Sequence, residues 1–237
     1  KTFKLPNNGV TLGGYCFYKC DNLEELVFDV NSDITDIGGT IFQDTNLSKF
    51  TVSSENQKYS VSADGRFLLS KDGKTIVFVA LGESNTATQS LIDYGTLVIG
   101  EEYDEIAPGA FVGVNVKSVE IKNPNMKIGK YAFANNSSIQ TLILPENGNV
   151  GIDEFAFAYA ANLKEVQNLE SAKSIAQYAF RSTGVTKVAI GDDATVGEGA
   201  FFESGVITLN IGRNTEFGLG AFQNCTSLQR VNFPTLG

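Results

Sequence analysis

The chain has 237 residues, 42% of them hydrophobic, with 24 Gly, a single Met and no Trp, which suits an extended apolar core wrapped by a backbone that turns often. Eighteen basic residues against 27 acidic ones give a net charge of −9 with no run of Lys or Arg, a balance that argues against nucleic acid and anionic membrane surfaces as partners. The absence of His excludes Ser-His-Asp and Cys-His catalysis and the commonest zinc ligation.

In chain order, Phe3-Lys-Leu5-Pro6 reads as the strand end of a unit whose first half is missing, so the chain is expected to be cut from something longer. Leu12-Gly-Gly-Tyr-Cys-Phe17 and Ile37-Gly-Gly-Thr-Ile-Phe42 each lead into an apolar pair, Leu26/Phe28 and Phe50/Val52, whose alternation predicts a short strand. Between Ser53 and Leu81 the texture becomes all β. Tyr59-Ser-Val alternates, and Phe67–Lys71 and Lys74–Val79 flank Asp72-Gly73, a strong hairpin signal. The longest apolar run, Ile76 to Leu81, is far shorter than the roughly 20 residues of a bilayer span, so no membrane insertion is expected. Small polar residues from Gly82 to Gln89 predict a surface loop, after which Leu97/Ile99 resumes the strand series.

From Ile106 onward one unit repeats without interruption. Its clearest copy runs from Met126 through Ile128-Gly129, Ala132-Phe133 and Ile139 to Leu142-Ile-Leu144-Pro145. The aromatic recurs at Phe17, Phe42, Phe111, Phe133, Phe157, Phe180, Phe201 and Phe222, at steps of 25, 69, 22, 24, 23, 21 and 21. The step of 69 is three times 23, and strand pairs at Phe3/Leu5, Ile76/Phe78 and Leu97/Ile99 fill the series, so eleven turns are expected. A unit with one apolar side is stable only when stacked, which predicts one solenoid domain over 1–237 with β-rich variant turns at about 53–100. The Phe column is read as an internal spine, with short helical turns at the Ala-Phe segments and a continuous parallel sheet on one face.

The pattern Ile-Gly-x-x-Ala-Phe followed by L-x-x-V-x-I-Pro, carried by Ile37-Gly38, Ile128-Gly129 with Ala132-Phe133, Ile152 with Ala156-Phe157, Ile175 with Ala179-Phe180, Ala200-Phe201 and Ala221-Phe222, resembles the BspA-type leucine-rich repeat proteins. The β-rich unit from Phe50 to Leu81, with Asp64-Gly65 and Lys71-Asp-Gly-Lys74, is similar to an insert often found in that family. The resemblance implies a cell-surface or secreted binding protein, adhesin-like, with a partner that differs widely among members, including host extracellular proteins.

Candidates for chemistry are few. Cys225 shares a repeat column with Cys20, filled elsewhere by Thr45, Val114, Asn136, Ala160, Thr183 and Ser204, so the column is read as wanting a small residue; a Cys16–Cys20 disulfide or thiolate site is the alternative. The acidic run Glu101-Glu102-Tyr103-Asp104-Glu105 is read as a solvated edge, with a calcium site as the alternative. No catalytic residue and no cofactor is implied. Function is therefore placed on the outward strand positions, where Thr51, Val77, Val98, Glu120, Ile143, Gln167, Lys187 and Asn210 are the candidate partner-binding residues and Val77 and Val98 the apolar centre. The expected partner is a protein. A carbohydrate-binding or glycan-processing accessory role, using loop residues such as Tyr94 or Tyr103, and a passive structural spacer are the alternatives.

Overall fold

The structure is a computed structural model that describes residues 1–37, 41–42, 45–80, 82, 92–93, 95–114 and 116–234. Gly38 of the second copy, most of the stretch expected as a loop and Tyr94 lie outside these residues. Within them the chain winds into a β-solenoid of about nine turns.

Each full turn contributes two short strands on opposite sides of the core. The first ladder holds the strands anticipated from the apolar pairs. Thr96–Ile99, Ser118–Ile121, Thr141–Ile143 and Glu165–Gln167 pair in parallel, so that Leu97, Val119, Leu142 and Val166 stand in one inward row. Leu97, Val119 and Leu142 are fully buried, and each such side chain removed from water contributes roughly 1.5–3 kcal/mol. The second ladder forms at the Ile-Gly steps. Glu105–Ile106, Lys127–Ile128, Val150–Ile152, Ala172–Ile175, Thr195–Val196 and Glu216–Phe217 run parallel to one another and bury Ile106, Ile128, Ile152, Ile175 and Val196.

Three features differ from the sequence expectation. The first ladder is not continuous: it falls into a three-stranded sheet (Thr2–Lys4, Glu25–Phe28, Lys49–Val52), a five-stranded sheet from Ile92–Asp93 to Glu165–Gln167, and a three-stranded sheet (Lys187–Ile190, Thr208–Ile211, Arg230–Asn232). Its second break coincides with Asn168 in the left-handed region (φ 58°) and the short 3-10 turn Leu169–Ser171.

The first break is made by the hairpin. Tyr59–Val61, Phe67–Ser70 and Thr75–Val79 form an antiparallel meander, and Thr75–Val79 then pairs in parallel with Glu105–Ile106, on the second ladder. Ile76/Phe78 is thus not a member of the first ladder, and the solenoid has about nine turns where eleven were expected. The turn itself is as anticipated: Gly73 sits at φ 74°, and the Asp72 carboxylate accepts from the Lys74 amide (3.0 Å) and the Ser70 hydroxyl (2.5 Å). This meander separates two hydrophobic cores. Phe67, Leu69, Ile76 and Val79 pack into the larger one, while Leu68, Val77, Phe78 and Ala80 pack into the smaller N-terminal one. Adjacent Val77 and Phe78 share a side because the pairing slips between Leu68 and Leu69.

The Ala-Phe segments are turns and not helical. Within the turn at Phe133, the amides of Ala132 and Ala134 donate to the carbonyls of Gly129 and Tyr131, three residues back. Those of Tyr131, Phe133 and Asn135 instead donate to Glu154, Ala156 and Ala158 of the next turn (3.1, 2.7 and 2.9 Å). Tyr131 and Asn135 both have φ 56°, and a left-handed residue every fourth position prevents helix growth while aiming alternate amides at the neighbour. The same scheme recurs at Phe155 and Tyr159 and at Tyr178 and Ser182.

The Phe column is the spine of the stack. Phe111, Phe133, Phe157, Phe180 and Phe201 are fully buried, with successive centroids 4.8 to 5.2 Å apart and nearly parallel rings. It is interrupted between Phe42 and Phe111, where Phe78 and Phe67 of the hairpin meet those rings edge-on. The column shared by Cys20 and Cys225 wants more than small size: Thr183 and Ser204 donate to the Phe180 and Phe201 carbonyls (2.9 and 2.7 Å), and Asn136 donates to Val114 (2.7 Å) and accepts from Ser138 and Ile139. These polar members satisfy carbonyls that the tight turn leaves over. All three cysteines are free, and Cys225 itself contacts the Phe201 carbonyl (3.0 Å).

Candidate interaction surfaces

Of the eight residues proposed from the sequence, four stand together. Val98, Glu120, Ile143 and Gln167 are direct neighbours in register on consecutive strands of the five-stranded sheet, with Val98, Glu120 and Ile143 half-buried and Gln167 exposed. Thr96, Ser118, Thr141 and Glu165 form the parallel row beside them. Lys122 pairs with Glu120, so that row carries one compensated charge among neutral side chains.

The other four lie elsewhere. Thr51 belongs to the N-terminal three-stranded sheet, where its hydroxyl donates to Glu25 (2.6 Å). With Thr2 as a second donor and Lys49 nearby, this hydrogen bond holds the Glu25 carboxyl below the usual carboxylate range. Lys187 and Asn210 lie on the C-terminal sheet, in different rows. Val77 is corrected outright: it is 8% exposed, sits on the second ladder and packs into the N-terminal core. It is not beside Val98, because the hairpin inserted between the two segments shifts it to another sheet.

The acidic run is divided rather than convergent. Glu105 pairs with Lys127 (3.0 Å), Asp104 lies 3.8 Å from Lys74, and Glu101 and Glu102 are exposed. Among the described residues no three Asp, Glu, Cys or His side chains come together as a metal set. Tyr103, considered above for sugar binding, is 7% exposed with its ring perpendicular to Phe67 at 5.6 Å, and burial pushes its phenol up to about 12.

A second surface escaped the sequence reading. Outside the Phe spine runs another aromatic ladder of Tyr131, Phe155, Tyr178 and Phe202, with centroid steps of 5.0, 5.2 and 6.2 Å. Tyr131, Phe155 and Tyr178 each stand two residues before a spine Phe, in the left-handed conformation. At the next turn that position is Gly199, also left-handed (φ 55°), and a side chain there would meet the Tyr178 ring at 2.2 Å; Phe202 supplies the aromatic from the other end of the turn. Aromatic-Ala-Phe occurs three times in the sequence at these places, so the signal was visible.

Arg181 is inserted in this strip, its guanidinium carbon 5.0 Å from the Phe202 centroid, 5.4 Å from Tyr178 and 5.5 Å from Tyr159. Its Nε is buried without a hydrogen-bond partner. Tyr131 and Tyr159 are 43% and 44% exposed, which makes the strip part of the outer surface.

A family model for the BspA type leucine rich repeat region matches the chain in six copies, over residues 1–63, 89–208 and 151–236. The chain belongs to the BspA-type leucine-rich repeat family. Solved structures of similar fold include a leucine-rich repeat protein from Eubacterium ventriosum (TM-score 0.60, 16% identity) and a leucine rich cell surface protein from Faecalibacterium prausnitzii (TM-score 0.52, 14% identity). The pneumococcal vaccine antigen PcpA is a third (TM-score 0.50, 20% identity). Respectively 98%, 100% and 90% of this chain is covered, against 54%, 60% and 46% of theirs, so this BspA-type chain spans about half the length of the structures it resembles. No curated protein matches its sequence. Among the described residues no helix is long and apolar enough to cross a membrane.

Proposed function

We propose that this BspA-type solenoid is a non-catalytic binding module, displayed at a cell surface or secreted, that engages a protein partner with the outward face of its five-stranded sheet. The observation that supports this reading is the row Val98, Glu120, Ile143 and Gln167: four unlike side chains held about 4.8 Å apart by a scaffold whose inward rows stay apolar. An apolar pair, Val98 and Ile143, flanks a charged neighbour and is bordered by hydroxyl side chains, the anatomy of a small contact centre with a polar rim. Surface display accords with the cell surface protein of similar fold. A sheet face of this kind binds by breadth and shape, and it offers no reacting group.

The test compares the native chain with a Val98→Asp, Ile143→Asp double variant against a panel of purified extracellular matrix proteins and against a glycan array. Binding to a matrix protein that is lost in a variant with an unchanged melting curve is the expected result. Binding that survives the double substitution, or that appears only on the glycan array, overturns the reading.

A further inference from the structure

The aromatic strip around Arg181 deepens this protein-binding reading by giving the partner a chemistry. We infer that Arg181 is the seat for a side-chain carboxylate of an acidic, partly apolar peptide segment, whose apolar residues lie along the edges of Phe155 and Tyr131.

Lys4, Lys49, Lys58, Lys74, Lys122, Lys127 and Lys130 each lie within ion-pair reach of a carboxylate of the chain. Among the described residues Arg213 and Arg230 form no such pair but are exposed, so water solvates them. Arg181 is different. It is half-buried, its Nε is sealed from water without an acceptor, and no carboxylate of the described residues lies within 4.0 Å, although the chain has 27 acidic residues to offer one. Three rings hold the guanidinium in place and strip part of its hydration, so an incoming carboxylate meets terminal amino groups already oriented and partly dry, while the sealed Nε reports on the site without touching the ligand.

The rings also say what accompanies the carboxylate. Tyr131 stacks on Phe155 at 5.0 Å with 19° between planes, Phe155 meets Tyr178 at 5.2 Å, and the faces of Tyr159 and Tyr178 that look toward Arg181 are taken by its guanidinium. A pyranose needs a free ring face to stack on, whereas these side chains present mainly edges, which suit Leu- or Phe-like side chains of a peptide. Two carboxylates border the site without pairing with Arg181: Glu198, which accepts from the Tyr178 hydroxyl (3.4 Å), and Glu203, which accepts from Ser182 (3.3 Å). They oppose an acidic ligand, so neutralising them strengthens binding while neutralising Arg181 weakens it.

The probe is a synthetic peptide, acetyl-Gly-Leu-Glu-Phe-Glu-Leu-Gly-amide, titrated into the nitrogen-15-labelled chain while the Arg181 side-chain Nε–H resonance is followed. A counterpart with both Glu replaced by Gln, and sodium glucuronate as an acidic sugar, run in parallel. The expected result is a saturating shift with the Glu peptide, an affinity about tenfold weaker for the Gln peptide and for Arg181→Gln, and tighter binding to Glu198→Gln. Equal affinity for the two peptides, or an Arg181 resonance that does not move, overturns the assignment. So does a response to glucuronate at lower concentration than to the peptide, which would make the ligand an acidic glycan. Should Arg181→Gln fail to fold, the comparison of the two peptides on the native chain still decides. The Val98→Asp, Ile143→Asp variant keeps the peptide response, which separates failure of this site from failure of the sheet face.

Discussion

Replacing Phe157 by Ala is expected to lower stability by about 3–5 kcal/mol, because the ring is fully buried and its removal combines lost transfer energy with a cavity. The structure places the loss in the upper part of that range. Phe157 is sandwiched between Phe133 at 5.1 Å and Phe180 at 5.2 Å, with interplanar angles of 2° and 3°, and each aromatic contact is worth about 0.5–1.5 kcal/mol beyond area alone. A rigid stack of turns closes poorly around the void, and the gap weakens coupling to both neighbours in a molecule whose stability is a sum of nearest-neighbour terms. Phe222 supplies the internal control: it is the last spine ring among the described residues, stacks on Phe201 at 4.9 Å and is only half-buried, so Phe222→Ala should cost about 1–2 kcal/mol. Urea unfolding followed by far-ultraviolet circular dichroism measures both. A loss below about 1 kcal/mol at Phe157, or equal losses at the two positions, refutes the spine as the source of coupling between turns.

Other substitutions probe the remaining parts. Arg66 is fully enclosed, its three guanidinium nitrogens find no hydrogen-bond acceptor, Asp64 is 3.9 Å away, and burial pushes the guanidinium below its usual range. Arg66→Met should therefore raise the unfolding midpoint, by the equivalent of about 1–3 kcal/mol, and a lower midpoint would show that the cation is needed. Val77→Asp places a charge in the N-terminal core and should cost about 3–5 kcal/mol, whereas Ile143→Asp on the outer face should stay within about 1 kcal/mol; thermal melts distinguish them. Burial raises the phenols of Tyr59 and Tyr103 to about 12 from an ordinary 10, Tyr59 also donating to Asp33 and Ile34 (both 3.1 Å). Because the folded values lie above the unfolded ones, this stabilisation is complete below about pH 10 and is lost as pH rises toward about 12, on the order of 3 kcal/mol for each tyrosine. Tyr59→Phe should flatten that alkaline loss, and unchanged pH dependence of urea midpoints would contradict it.

The sequence by itself determined the repeat, its period and the inward rows, because Leu142 and Leu144 or Phe133 and Phe157 recur at fixed steps, and burial of a periodic apolar side has one stacked solution. It also determined the Asp72-Gly73 hairpin, whose turn chemistry is local. Tertiary structure alone decided which ladder the hairpin strand joins. Val77 has the same neighbours in the sequence as any outward strand residue, yet a one-residue slip in pairing with Leu68 and Leu69 turns it into the N-terminal core. The second ladder and the non-helical turns were equally a matter of partners, since the amides of Tyr131, Phe133 and Asn135 choose the next turn over their own. So too with Arg181: its place in the sequence says nothing of Tyr159 and Phe202, which lie on the turns before and after it and meet it only because the solenoid stacks them at one radius.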